Sequence, residues 1–198
     1  METTLRSQAI VLGDRPRSRH SAWTGTVPLA DGLVLDASAA LAVLLGEPEA
    51  MTVRHYLVRA AGRPLLAVDL FWLEGVNVLV RRHGWDPDAV VEAVRELDEL
   101  GIETVAQDRP LVLAALDLAA AHGIGAYDAI RLAVAEAADA DLLTLDVRLA
   151  RAAGARAAIR PQPGAHEARA PYDSEAVVPD WTRHGRYLAD LRRAVGTS

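Results

Sequence analysis

The sequence predicts a three-layer α/β domain, a mostly parallel sheet of about five strands covered by helices on both faces. Three observations predict it. Short aliphatic runs of about four residues recur along the chain, segments with helical apolar spacing separate them, and glycine or proline marks nearly every junction. Strands that alternate with helices form βαβ units. Strands covered on both sides are continuously aliphatic rather than alternating.

Residues 1–31 mix arginine, proline, glycine and threonine without apolar periodicity and read as a flexible arm. Order is expected to begin at Leu33-Val34-Leu35-Asp36, a strand buried on both faces. A helix over 37–45 follows, ended by Gly46, and Pro48 opens another that reaches about residue 61. Leu65-Leu66-Ala67-Val68 is the second strand. A helix over 70–83 is closed by Gly84, and a helix opened by Pro87 runs to Leu100, where Gly101 stops it. Residues 102–105 form the third strand, 109–122 a helix, and 126–138 another beyond the break at Gly123 and Gly125. Asp141-Leu142-Leu143-Thr144-Leu145-Asp146 contains the fourth strand, 147–153 a short helix, and 156–159 a fifth, edge strand. The domain is thus expected over residues 32–160. Beyond it, residues 161–198 form a linker marked by Pro161, Pro163, Gly164, Pro171 and Pro179, followed by an amphipathic helix with Trp181, Leu188, Leu191 and Val195 on one face.

Composition bounds the function. The chain has 198 residues, 51% of them apolar, enough for one ordinary domain with a sizeable aliphatic core. It has no cysteine, which excludes disulfides, thiolate metal sites and cysteine nucleophiles and fits a reducing compartment. No apolar stretch reaches the roughly 20 residues of a membrane span, and Ala9-Ile10-Val11-Leu12 is too short for a signal-peptide core. A cytoplasmic protein with no membrane association is therefore expected. The net charge of −6 argues against a general polyanion-binding surface, although divalent cations among clustered acids would reverse the local sign. The six histidines show no ligand spacing and read as surface or cap residues.

In open α/β sheets, functional groups gather beyond the carboxyl ends of the strands, where strand order reverses. Asp36 ends the first strand and Asp146 the fourth, although either could simply cap the next helix. Glu74 lies in an otherwise apolar helix and needs a partner, because an unpaired buried charge is costly. Its plainer partner is Arg81, on the same helical face as Asn77. Asp128 opens the helix after the glycine break, where the helix dipole or Arg131 at i+3 would also suit it. Together the four point to a carboxylate cluster. Like charges at ~4 Å repel by roughly 4 kcal/mol per pair at an effective dielectric near 20, so such a cluster calls for a cation. Mg²⁺ and Mn²⁺ favour oxygen ligands, and phosphodiester hydrolysis is the chemistry that uses them so arranged. Thr144 and Ser38, each two residues from one of these acids, are candidates to hold a bound water or phosphate. Local cap or turn hydrogen bonds are their simpler role.

The stretches Leu35-Asp36-Ala37-Ser38-Ala39, Leu73-Glu74-Gly75-Val76-Asn77-Val78-Leu79, Ala126-Tyr127-Asp128-Ala129-Ile130 and Leu143-Thr144-Leu145-Asp146-Val147-Arg148-Leu149 resemble those of the PIN domain, and within it the VapC-type toxins of bacterial toxin–antitoxin pairs. The likeness spans about residues 33–159. It implies Mg²⁺ or Mn²⁺ held by Asp36, Glu74, Asp128 and Asp146, with Thr144 and Asn77 in support, and endonucleolytic cleavage of RNA. It also implies a homodimer and a small antitoxin protein that blocks the acidic pocket. The arm and the tail are longer than such toxins usually carry.

Other readings explain less. A haloacid-dehalogenase-type phosphatase needs an acid two residues after Asp36, where Ser38 stands. A flavodoxin-like receiver or nucleotide-binding module lacks a glycine-rich phosphate loop and leaves Glu74 without a role. A binding or scaffold protein with a retained pocket keeps the fold without catalysis. The arginines of the last segment, Arg183, Arg186, Arg192 and Arg193, form a solvated face or, alternatively, let the tail cover the acidic pocket.

Overall fold

A computed structural model describes residues 31–159. The arm up to residue 30 and the tail from 160, with the helix and pocket-covering role expected there, lie outside the described residues. Four parallel strands form one sheet in the order β3-β2-β1-β4: β1 (Leu33–Leu35), β2 (Leu65–Val68), β3 (Glu103–Val105) and β4 (Asp141–Leu143). Leu33 and Val34 pair with Leu65 and Leu66 on one side and with Asp141 and Leu142 on the other. The chain steps from β1 outward to β2 and β3, then returns to lay β4 against the free side of β1. Strand order therefore reverses between β1 and β4, and in such sheets functional groups gather at this switch point, beyond the carboxyl ends of the strands.

The expected fifth strand shrinks to a single parallel bridge between Leu142 and Ala157, with the Ala158 amide donating to the Leu142 carbonyl at 2.9 Å. Residues 154–156 coil into a 3₁₀ turn instead. Ala157 and Ala158, the middle of the segment, carry no branched or aromatic side chain to hold an edge ladder.

Among the described residues, seven α-helices cover the sheet. On one face lie α1 (Ala37–Leu45), α2 (Ala50–Arg59), α3 (Leu70–His83) and α4 (Pro87–Asp98); on the other lie α5 (Arg109–His122), α6 (Ala126–Ala137) and α7 (Val147–Ala153). Alternation along the strands supplies both cores. Leu33, Leu35, Ala67 and Leu143 pack with the first set, and Val34, Leu66, Val68 and Leu142 with the second. Helix ends follow local chemistry. Asp86 and Asp108 accept hydrogen bonds from backbone amides of the first turns of α4 and α5, and Pro87 fills the first position of α4. Gly46 and Gly84 close α1 and α3 in the left-handed region, at φ 65° and 63°. No single helix among the described residues is long and apolar enough to cross a membrane.

The amino ends of β1 and β4 are clamped by Arg63. Its guanidinium donates to the carbonyls of Asp31 and Gly32 at 2.9 and 2.7 Å and to the Asp141 carboxylate at 2.8 Å, where the Tyr56 hydroxyl also donates at 2.9 Å. Arg63→Met is expected to destabilise the fold by about 1.5–3 kcal/mol, the usual range for hydrogen bonds to charged groups. A denaturant melt measures this. A change below a few tenths of a kcal/mol would show the clamp to be ornamental.

Candidate active site

Asp36 leaves β1 and caps α1. Its Oδ2 accepts from the Thr144 hydroxyl at 2.8 Å, from the Ser38 hydroxyl, and from the Ser38 amide at 3.4 Å. The two hydroxyls also tie the two strand ends together. The Leu145 amide donates to Ser38 Oγ and the Asp146 amide to Thr144 Oγ1, each at 3.0 Å. Ser38 therefore does more than make a local turn: its bonds reach across 107 residues of sequence. Thr144, fully buried, fixes both Asp36 and the backbone that carries Asp146.

The expectation that Asp146 ends β4 needs correction. The strand stops at Leu143, and Asp146 lies three residues beyond it, capping α7 through Oδ1 to the amides of Arg148 and Leu149 at 2.7 and 2.9 Å. Thr144 and Asp146 consequently lie past the strand, in the turn that leads into α7. Asp36 and Asp146 thus both cap helices, the plainer role open to them.

Glu74 comes from the middle of α3 and Asp128 from the first turn of α6. What joins them to Asp36 is Arg131, one turn further along α6 and 2% exposed. Its Nε stands 2.7 Å from Asp36 Oδ1, its Nη2 is paired with Glu74 Oε2, and its Nη1 lies 3.4 Å from Asp128 Oδ1 while donating to the Tyr127 carbonyl at 2.6 Å. The Asp36 contact is close but poorly aligned: the buried Nε–H makes no hydrogen bond. Burial disfavours the charged guanidinium, but the fields of Asp36, Glu74 and Asp128 outweigh it and hold Arg131 more firmly protonated than usual.

Arg131 was legible in the sequence only as a local partner of Asp128, and that 3.4 Å contact is the longest of its three ion pairs. The signal that marks Glu74 marks Arg131 too. It is a charge inside the apolar run Ala129-Ile130-Arg131-Leu132-Ala133-Val134, complementary in sign to the acid on α3. Glu74 pairs with Arg131 rather than with Arg81, which is exposed. Asn77 is exposed on α3 and makes no hydrogen bond to the four acids among the described residues.

Asp128 carries the electrostatic strain of the cluster. Burial pushes its carboxyl above the ordinary range, Arg131 pulls it back, Asp146 and Asp36 push it up again, and Arg148 pulls down; the net direction is upward. A carboxyl whose folded value is raised holds its proton more tightly in the folded state. Stability therefore grows as pH falls through that value, and the ionised form is a cost at neutral pH. Asp128→Asn is accordingly expected to melt at a higher temperature than the parent at pH 7 without metal. The gap should close as pH falls through the raised value of the parent's carboxyl, below which the parent is protonated there too. A variant less stable at pH 7 would show the Arg131 contact to dominate instead.

All donors here are carboxylate oxygens, suited to a hard cation. Oε1 of Glu74 and Oδ2 of Asp128 and of Asp146 have no hydrogen-bond partner among the described residues, whereas both oxygens of Asp36 are engaged. With Arg131 in their midst, no three of these acids form a ready cation site among the described residues. The donors fit Mg²⁺ or Mn²⁺ in kind but not beside the guanidinium.

The family model for the PIN domain matches residues 33–155. Among solved structures, the crystal structure of PAE2754 from Pyrobaculum aerophilum is similar at 20% identity and a TM-score of 0.48, covering 63% of this chain and 81% of that one. No curated protein matches the chain significantly.

Proposed function

The chain belongs to the PIN-domain family, and on that premise we propose that it is a Mg²⁺- or Mn²⁺-dependent endoribonuclease acting as the toxin of a toxin–antitoxin pair. Family members are typically nucleases that use divalent metal ions. The observation that carries the reading is the convergence of acids from separate elements at the switch point between β1 and β4: Asp36, Glu74 and Asp128 on one guanidinium, with Asp146 close enough to raise the Asp128 carboxyl.

With the Arg131 guanidinium withdrawn from among them, Asp36, Glu74, Asp128 and Asp146 would hold the cation. When bound, it would acidify an attacking water and stabilise the leaving oxygen of a phosphodiester. The chain's own residues organise the rest. Ser38 and Thr144 lock the Asp36 carboxylate in orientation, and the amides at the start of α7 hold one oxygen of Asp146, leaving the other to act. Tyr127, 69% exposed and next to Asp128, offers an aromatic face on which an unpaired base can stack. The toxin role, the antitoxin and the homodimer are supported by the resemblance of the four acidic stretches to VapC-type toxins.

Incubation of the full chain with RNA is expected to give cleavage that EDTA abolishes and Mn²⁺ or Mg²⁺ restores. Absence of cleavage with either ion would remove the reading. It would favour a second one, a PIN-fold binding protein without catalysis, which draws on the same Arg131 as a permanent neutraliser of the acids.

A further inference from the structure

We propose that Arg131 is a resident counter-cation that a divalent metal must displace, so that metal loading exchanges one cation for another. The inference rests on the proposed nuclease function and deepens it. Its ground is the occupancy of Asp36. Oδ2 is taken by the Ser38 and Thr144 hydroxyls and the Ser38 amide, leaving Oδ1 as the oxygen able to join Asp36 to the other acids through an ion. Arg131 Nε stands 2.7 Å from that atom.

Three features separate this contact from an ordinary structural ion pair. The guanidinium spans three carboxylates rather than forking onto one, so it bridges the groups a metal would bridge. Its buried Nε–H is left without a hydrogen bond, a cost that a well-satisfied pair avoids. Glu74, Asp128 and Asp146 each keep a second carboxylate oxygen that Arg131 does not contact. The centre is therefore under-neutralised by the arginine, since three carboxylates share a single buried positive charge. While Arg131 is seated it keeps the acids assembled without metal; once displaced, it leaves its ligands to the ion.

The test uses the full chain. Arginine side-chain ¹⁵N NMR, with the Arg131 Nε–H assigned by its absence in Arg131→Lys, follows a Mg²⁺ titration. The Arg131 Nε–H is expected to be exchange-protected without metal and to lose that protection as Mg²⁺ saturates. In parallel, calorimetry with Mn²⁺ is expected to show Arg131→Gln binding at least tenfold more tightly than the parent. Saturation by Mg²⁺ with the Arg131 signal unchanged would overturn the proposal, as would a folded Arg131→Gln that binds Mn²⁺ no more tightly. Should that variant fail to fold without metal, the parent's NMR titration decides alone. RNA cleavage with Arg131 still protected at saturating Mg²⁺ would leave the nuclease reading standing and remove only the exchange. A parent that binds neither ion would remove both.

Discussion

Asp36→Asn is expected to reduce RNA cleavage by at least about 1,000-fold, equivalent to about 4 kcal/mol of transition-state stabilisation. Asp36 is the most buried of the four acids and the one whose orientation the protein fixes most heavily, through the Ser38 and Thr144 hydroxyls. An asparagine retains one carbonyl oxygen for those hydroxyls but turns an N–H₂ toward Arg131 Nε, setting donor against donor. The centre would lose a charge and its join to the other acids together. A simple like-charge argument says that neutralising any member of the cluster relieves repulsion and stabilises the fold. For Asp36 the opposite is expected, because its charge is matched by Arg131; for Asp128, whose carboxyl is pushed upward, the relief should survive. Single-turnover cleavage at saturating Mn²⁺, with a thermal melt on the same sample, measures both. Activity within tenfold of the parent would show that Asp36 is structural.

The largest stability effect should come from Arg131→Gln in metal-free protein. Removing one partner from a buried ionic network costs about 3–5 kcal/mol, because it leaves charge buried without its complement. In a chain of this size each kcal/mol moves the melting temperature by about 2–4 °C, so a fall on the order of 10 °C is expected. The Glu74→Gln, Arg131→Gln double variant should lose less than the sum of the two single changes, by about 0.5–3 kcal/mol. Strict additivity would mean that Glu74 and Arg131 do not depend on each other, against their direct pairing.

The fold was legible where local chemistry decides. The helices over 37–45, 70–83, 109–122 and 147–153 were readable to the residue, because glycine stops, aspartate caps and prolines act within one turn of where they stand. β1, β2 and β4 were readable because burial on both faces leaves a short aliphatic run, whereas β3, with Glu103 and Thr104 exposed, was marked by the glycine stop before it at Gly101. The fifth strand was not, since an edge segment such as Ala157-Ala158-Ile159 pairs only if its neighbour offers a ladder, and it gained one bridge.

The site divides the same way. That Asp36, Glu74 and Asp128 share one centre followed from topology, because strand ends and the helices after them meet at the switch point. Arg131 as their common partner did not follow, because helical spacing ranks Arg81 for Glu74, while the contact that forms crosses 57 residues of sequence. Local spacing shows which charges can meet on one helix and says nothing about a guanidinium delivered by another. The role of Ser38 was hidden for a similar reason, as half of its hydrogen bonds depend on β4 lying beside β1.

The most direct measurement is anomalous diffraction from crystals grown in Mn²⁺ at a concentration that supports RNA cleavage. The expected result is an anomalous peak in contact with Asp36 and at least two of Glu74, Asp128 and Asp146, with the Arg131 guanidinium withdrawn from Asp36. No peak among these side chains, with Arg131 still bridging Asp36 and Glu74, would contradict the assignment of this cluster as the metal centre.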